Sequence, residues 1–357
     1  MTASLATQIQ SLVDSIAPVD ESVRRQAQHQ VDQLFKPIGS LGRLETLACQ
    51  LAAIYRRCDW PLGRKKILVM AADHGVFAEH VAVTPREVTA IQACNTVKGL
   101  TGVAALSHAN DVGVELLDVG IDSEPIDGTV NIKIARGCGN IASGPAMSRE
   151  QASQLIANVA RYTQQVIDQE QLSVIGIGEL GIANTTPAAA IVSVVTGHSP
   201  KQVVGLGANF PSHRLAHKVD VVRQAIEANQ PDARDGLDII AKVGGFDLAA
   251  MSGAILGASA MRIPVMLDGF LSYASAMIAT LLAPNAHGYL IASHLSAEKG
   301  ASLALNYLQL QPFIDMQLRL GEGSGAALAM PFIDAAHAMV NRMGTMEKHG
   351  VPLPSPM

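Results

Sequence analysis

Three glycine-flanked segments hold the side chains whose spacing could do chemistry. The first, Gly176-Ile177-Gly178-Glu179-Leu180-Gly181, follows an apolar run and precedes Asn184-Thr185-Thr186-Pro187 and an alanine-rich stretch. A GxGxxG between a strand and a helix can seat a dinucleotide, with its pyrophosphate on the helix N-terminus and an acid roughly 20 positions on holding the ribose. Lys201 and Gln202 stand where that acid is needed, and Glu179 would bring a negative charge close to a diphosphate. A single phosphate held by exposed amides and the Thr185 and Thr186 hydroxyls is compatible with the segment. So is a turn whose glycines serve close packing alone.

The second segment is Ala72-Asp73-His74-Gly75, with Glu79 and His80 shortly after. Its spacing matches neither HExxH nor a Cys/His finger, so a capping or orienting role for Asp73 and His74 is expected ahead of metal binding. His213 and His217 are four apart and could share a helix face. With no third ligand beside them they read as surface residues. The third segment runs from Leu318 through Arg319-Leu320-Gly321-Glu322-Gly323-Ser324-Gly325 to Leu328. Burial would raise the pKa of the Glu322 carboxyl toward the range useful to a general base, and Arg319 would oppose the rise. An exposed Glu322 capping a helix that begins near Ser324 is the alternative. No Asp-Asp, Glu-Asp or Glu-Glu pair occurs in the chain, so the adjacent acids after a strand that usually hold a ribose and a magnesium-bound diphosphate are missing. A ribosyl group transferred here would need a leaving group that departs without metal.

These segments must be positioned by the elements around them. Apolar runs at 67–71, 114–119, 174–177, 202–205, 263–267 and 288–292 alternate with helical texture at 87–108, 149–168, 186–195, 213–228 and 247–261. That alternation predicts a parallel sheet covered on both faces, with ligands beyond the C-terminal ends of its strands. Residues up to about Arg57 read as helices, one capped by Asp20, with a turn at Lys36–Gly42. After Leu295 the texture is helical again. The two chain ends are therefore expected to make a small helical domain beside the α/β one.

Composition narrows the function. The 357 residues carry 26 Lys plus Arg against 31 Asp plus Glu, a net charge of -5, so the basic surplus needed for nucleic acid is absent. Only 16% of residues are charged while 48% are hydrophobic, against about 25% charged in ordinary domains, which predicts surface covered by another subunit. The stretches Leu248–Met261 and Leu271–Ala283 fall short of a bilayer span and are separated by Arg262 and Asp268, so they read as buried helices, with no membrane partner. The N-terminus shows no basic region followed by an apolar core, and a cytoplasmic location is expected. Cys49, Cys58, Cys94 and Cys138 are scattered and read as free thiols.

Several segments in order, spanning nearly the whole chain, resemble the nicotinate-nucleotide:dimethylbenzimidazole phosphoribosyltransferase (CobT) family. They are Lys36-Pro37-Ile38-Gly39-Ser40-Leu41-Gly42-Arg43-Leu44, Ala72-Asp73-His74-Gly75-Val76, Thr84-Pro85-Arg86-Glu87-Val88-Thr89, Gly176 through Thr186, Val243-Gly244-Gly245-Phe246, Leu267-Asp268-Gly269-Phe270, Ser293-His294-Leu295-Ser296-Ala297-Glu298 and Arg319 through Gly325. The resemblance implies transfer of the phosphoribosyl group of nicotinate mononucleotide to 5,6-dimethylbenzimidazole in building the cobalamin lower ligand, with no metal and no cofactor. It implies a homodimer and an α/β fold: a Rossmann-like three-layer α/β/α domain with a parallel sheet over 61–295, and a small helical domain from 1–60 with 296–357. Carried over by motif, Glu322 would accept the proton. Thr84, Gln92 and Leu320 would line the benzimidazole site, and Glu179, Gly181, Asn184, Thr185, Thr186, Lys218 and Ser296 would surround the nucleotide. Cys138 stands where the family pattern leads one to expect Thr, so that position lacks a hydroxyl donor. Two other functions stay open: an NAD-dependent dehydrogenase using the Gly176–Gly181 loop, and a nucleotide sensor without activity.

Overall fold

The computed structural model describes residues 4–346. Three helices, α1 (Leu5–Ser15), α2 (Glu21–Asp32) and α3 (Arg43–Tyr55), precede β1 (Arg64–Ala72). Helices α4 (Val88–Val97) and α5 (Gly102–Ala109) lead to β2 (Gly113–Gly120) and the two-residue β3 (Val130–Asn131). Next come α6 (Arg149–Glu170), β4 (Leu172–Leu180), α7 (Thr185–Thr196), α8 (Pro200–Val203), α9 (Leu215–Asn229), α10 (Gly236–Val243) and α11 (Phe246–Ala260). The chain continues through β5 (Val265–Leu267), α12 (Phe270–Leu282), β6 (Leu290–Ala292), α13 (Ala301–Tyr307) and α14 (Ser324–Arg342).

The six strands form one parallel sheet in the order β3-β2-β1-β4-β5-β6. This is the doubly wound order, and its topological switch lies between β1 and β4. Alternation along β1 feeds two cores. Leu68, Met70 and Ala72 join the side that holds α11 and α12, while Ile67, Val69 and Ala71 join the side that holds α3 and α14. The expected three-layer architecture is therefore present. The two most apolar stretches are α11 and α12, almost wholly buried in one layer. Helix α11 lies tight on α6 because Gly253 and Gly257 have no side chain; a Cβ at either would stand 2.6 or 2.5 Å from the carbonyl oxygens of Ile156 and Ala160. No helix among the described residues is long and apolar enough to cross a membrane.

Local signals behaved as their chemistry demands at most places. Asp20 caps α2 by accepting from the amides of Ser22 and Val23. The Lys36–Gly42 segment is a turn, with Lys36 Nζ 2.8 Å from Glu45 Oε1 and the Leu41 amide donating to the same oxygen. The run at 202–205 is not a strand. Ser199 and Gln202 close a capping box around Pro200, and the one-turn helix α8 results. The helical texture at 87–108 breaks into α4 and α5 at Gly99, whose φ is +78°. His213 lies in a 3₁₀ turn before α9, while His217 on α9 meets the Glu79 carbonyl at 2.6 Å, so the two share no helix face. At the chain ends, α1 packs on α6 and α11, whereas α2, α3 and α14 share the opposite core.

Candidate active site

A cleft of about 310 Å³ opens at the C-terminal ends of β4, β5 and β6, as expected for a parallel sheet. Residues at the strand ends contribute Glu179, Asp268 and His294, α4 contributes Gln92, and the loop before α14 contributes Leu320 and Glu322. Gly321, Glu322 and Gly323 all have positive φ, at +85°, +63° and +93°. A glutamate in the left-handed region is strained and persists only where its surroundings hold it. The side chain is buried, 6% exposed, so the exposed cap considered from the sequence does not occur. Its Oε1 accepts from Gln92 Nε2 at 2.8 Å, and its Oε2 accepts from the Val103 amide at 3.4 Å, in the first turn of α5. A helix N-terminus favours a negative charge there.

The glycines of the GxGxxG segment are used for packing. A Cβ at Gly176 would stand 2.7 Å from Ile67 Cγ1 and 3.0 Å from Met330 Cε on α14. At Gly178 it would stand 2.4 Å from the Glu322 carbonyl oxygen, and at Gly181 2.5 Å from that of Ala72. Each glycine thus admits a neighbouring element of this fold, which leaves the dinucleotide fingerprint without its physical basis.

Glu179, Gly181, Asn184, Thr185 and Ser296 line the cleft together with Thr84, Gln92, Leu320 and Glu322. Lys218 and Thr186 do not line it. Lys218 lies one step behind, buried, and its Nζ donates to Thr185 Oγ1 at 2.8 Å. Burial pushes its pKa down to about 8, against the pull of the Glu298 carboxylate. Thr186 is fully buried inside α7, and its hydroxyl finds no hydrogen-bond partner. Burial, with help from the neighbouring Asp247 charge, pushes Glu179 up to about 8. The Asn184 amide donates to Glu179 Oε2 and, at 3.1 Å, to Asp247 Oδ2. Asp247 Oδ1 lies 3.1 Å from His74 Nε2, and His74 Nδ1 lies 3.7 Å from Cys138 Sγ. Burial opposes protonation of His74, but Asp247 and Cys138 together outweigh it and the His74 pKa is raised. His74 therefore lies behind the cleft, between Asp247 and Cys138. Cys138 touches this chain of contacts and is not among the lining residues.

Asp268, His294 and Glu298 also line the cleft, although the sequence singled none of them out for a role. Asp268 directly follows β5, and His294 comes two residues after β6. A polar residue just past an apolar run was the signal available for both. Burial raises the Asp268 pKa against His294 and three backbone N–H donors, and burial lowers that of His294 against Asp268.

A doubly wound sheet whose cleft carries Thr185, backed by Lys218, across from the buried Glu322 carboxylate fits a phosphoribosyl-transferring class. The chain belongs to the phosphoribosyltransferase family DBI_PRT, whose model matches residues 16–351. It is 54% identical over 345 residues to the nicotinate-nucleotide–dimethylbenzimidazole phosphoribosyltransferase of Escherichia coli strain K12, with 96% of each chain covered. The same figures hold for the enzyme of that name from Escherichia coli strain SMS-3-5 / SECEC. The fold superimposes on the crystal structure of CobT from Thermus thermophilus with a TM-score of 0.89 at 37% identity, covering 93% of this chain and all of the other. The family resemblance seen in the sequence is thereby borne out.

Proposed function

We propose that the protein transfers the phosphoribosyl group of nicotinate mononucleotide to 5,6-dimethylbenzimidazole, giving α-ribazole 5′-phosphate and nicotinate, with Glu322 as general base. The observation that carries the role of Glu322 is its buried carboxylate at the cleft, held by Gln92 Nε2 at 2.8 Å and by the amide end of α5. Nicotinate departs from a cationic pyridinium, so the bond to C1′ is already weakened. One benzimidazole nitrogen attacks the opposite face and inverts a β-linkage to an α-linkage. The ring becomes cationic in that step, and Glu322 takes the proton from its other nitrogen, an effect typically worth about 10²- to 10⁴-fold. Thr84, Gln92 and Leu320 face the benzimidazole. Glu179, Gly181, Asn184, Thr185 and Ser296 face the nucleotide, with Lys218 supplying positive charge through Thr185 and Thr186 standing behind them in α7. Holding both rings in line across the ribose supplies much of the remaining acceleration.

A homodimer is part of the same proposal, supported by the exposed apolar side chains of Ile91, Leu100 and Leu320, at 56%, 72% and 59%. So is a cytoplasmic setting, which suits four free cysteines. The division into a helical unit from 1–60 with 296–357 and an α/β unit over 61–295 is supported by the core that α2, α3 and α14 share, while α1 packs on α6 and α11 of the α/β unit. The Phe35 amide donates to the Gly344 carbonyl at 2.7 Å, and Trp60 stacks edge-on against His337. Residues 1–3 and 347–357 of that division lie outside the described residues.

The test is to incubate the purified protein with both substrates in the presence of a chelator and identify the products by chromatography and NMR. Nicotinate and the α-anomer of the ribotide are expected. Binding of the nucleotide without nicotinate release would favour the sensor, and an absorbance change with NAD and an alcohol would favour the dehydrogenase.

A further inference from the structure

We propose that Asp268 is a positioning residue for Glu322, holding the strained turn that aims the base into the cleft. This inference rests on the reading of Glu322 as general base. Three successive residues in the left-handed region, the middle one a glutamate, do not hold that shape unaided. The helix that follows, α14, has Gly323 at its N-cap and so no side chain of its own to satisfy its first amides. Asp268, reaching from the end of β5, serves instead. Its Oδ2 accepts from the Gly323 amide at 3.0 Å, and its Oδ1 accepts from the amides of Gly325 and Ala326 at 2.7 and 3.4 Å.

The anchor is itself rigid. The Asp268 carbonyl accepts from Tyr273 Oη at 3.0 Å and from Ser293 Oγ at 2.8 Å, and the side chain is only 3% exposed. Gly325 makes the approach possible, because a Cβ there would stand 1.9 Å from His294 Nδ1 and 2.9 Å from Asp268 Oδ1. On the far side of the turn, Gly178 of β4 lets the Glu322 backbone lie against the sheet. The turn is therefore clamped by contact with one strand and by hydrogen bonds to the next. With three N–H donors on its two oxygens, Asp268 is engaged by the backbone and is not the group that takes the substrate proton.

A double-mutant cycle separates positioning from plain structural support. Steady-state kinetics are measured for the wild type, Asp268→Asn, Glu322→Gln and the double variant, with thermal melts alongside. Asp268→Asn keeps the shape but loses the acceptor for one amide, and a fall in kcat of about 30- to 300-fold is expected with nucleotide KM within about 3-fold. On the Glu322→Gln background the same change should cost less than about 3-fold, because the group it positions is already disabled. Losses that multiply in the double variant, or an unchanged kcat for Asp268→Asn, would overturn the inference. If Glu322→Gln alone retains full activity, the general-base reading fails instead. Should Asp268→Asn not fold, the smaller Asp268→Ser is carried through the same cycle with the same expected non-additivity.

Discussion

Gly178 on β4 and Glu322 before α14 lie backbone to backbone, so close that a Cβ at position 178 would stand 2.4 Å from the Glu322 carbonyl oxygen. The turn carrying the proposed base is thus seated by a missing side chain far earlier in the chain. Gly178→Ala should push that turn outward. A misplacement of roughly 1 Å at a reacting group can cost about 10²-fold, so kcat should fall on that order while the protein still folds. Steady-state kinetics with a circular dichroism control checks this.

Nucleotide binding should weaken in alkali. Lys218, pushed down to about 8, loses its positive charge as the pH rises, while Glu179, pushed up to about 8, gains a negative one. Both changes disfavour an anion in the cleft. The Kd for nicotinate mononucleotide should rise roughly 10-fold or more between about pH 7 and 9. Calorimetric titration across that range measures it, and Lys218→Met should flatten the dependence.

Stability carries a related signature. The folded pKa of Glu179 lies above its ordinary value of 4.5, so the native state holds the extra proton between about 4.5 and 8, and this group's contribution to stability falls as pH rises through that window. Lys218 is the opposite case. Its folded pKa lies below 10.5, the unfolded chain holds the extra proton, and its contribution to stability rises between about 8 and 10.5. Glu179→Gln removes the first slope. The variant should gain stability relative to the wild type as the pH moves from about 6 to 9, read from denaturant midpoints.

Much of this arrangement was legible in the residues themselves. Apolar runs ending in Asp, Gly or Asn marked the strand ends, and glycines around Glu322 marked a carboxylate with a bare backbone beside it. The run at 202–205 misled because its valines are apolar and β-branched, while the capping chemistry of Ser199 and Gln202 decided the local fold. The GxGxxG segment was ambiguous for a different reason. Its glycines answer to Ile67, Met330, Glu322 and Ala72, neighbours that only the tertiary structure supplies. Asp268 was hidden in the same way. In the sequence it separates two apolar helices, and its partners are amides at 323, 325 and 326. Lys218 and Thr186 came from the family pattern, and neither reaches the cleft surface itself.

The role of Glu322 is tested most directly by the turnover number of Glu322→Gln with nicotinate mononucleotide and dimethylbenzimidazole. The amide keeps the shape and can still accept one hydrogen bond, but it cannot take up the proton. A fall in kcat of about 10²- to 10⁴-fold is predicted, with nucleotide affinity nearly unchanged. A kcat within about 3-fold of the wild type would contradict the assignment of the base.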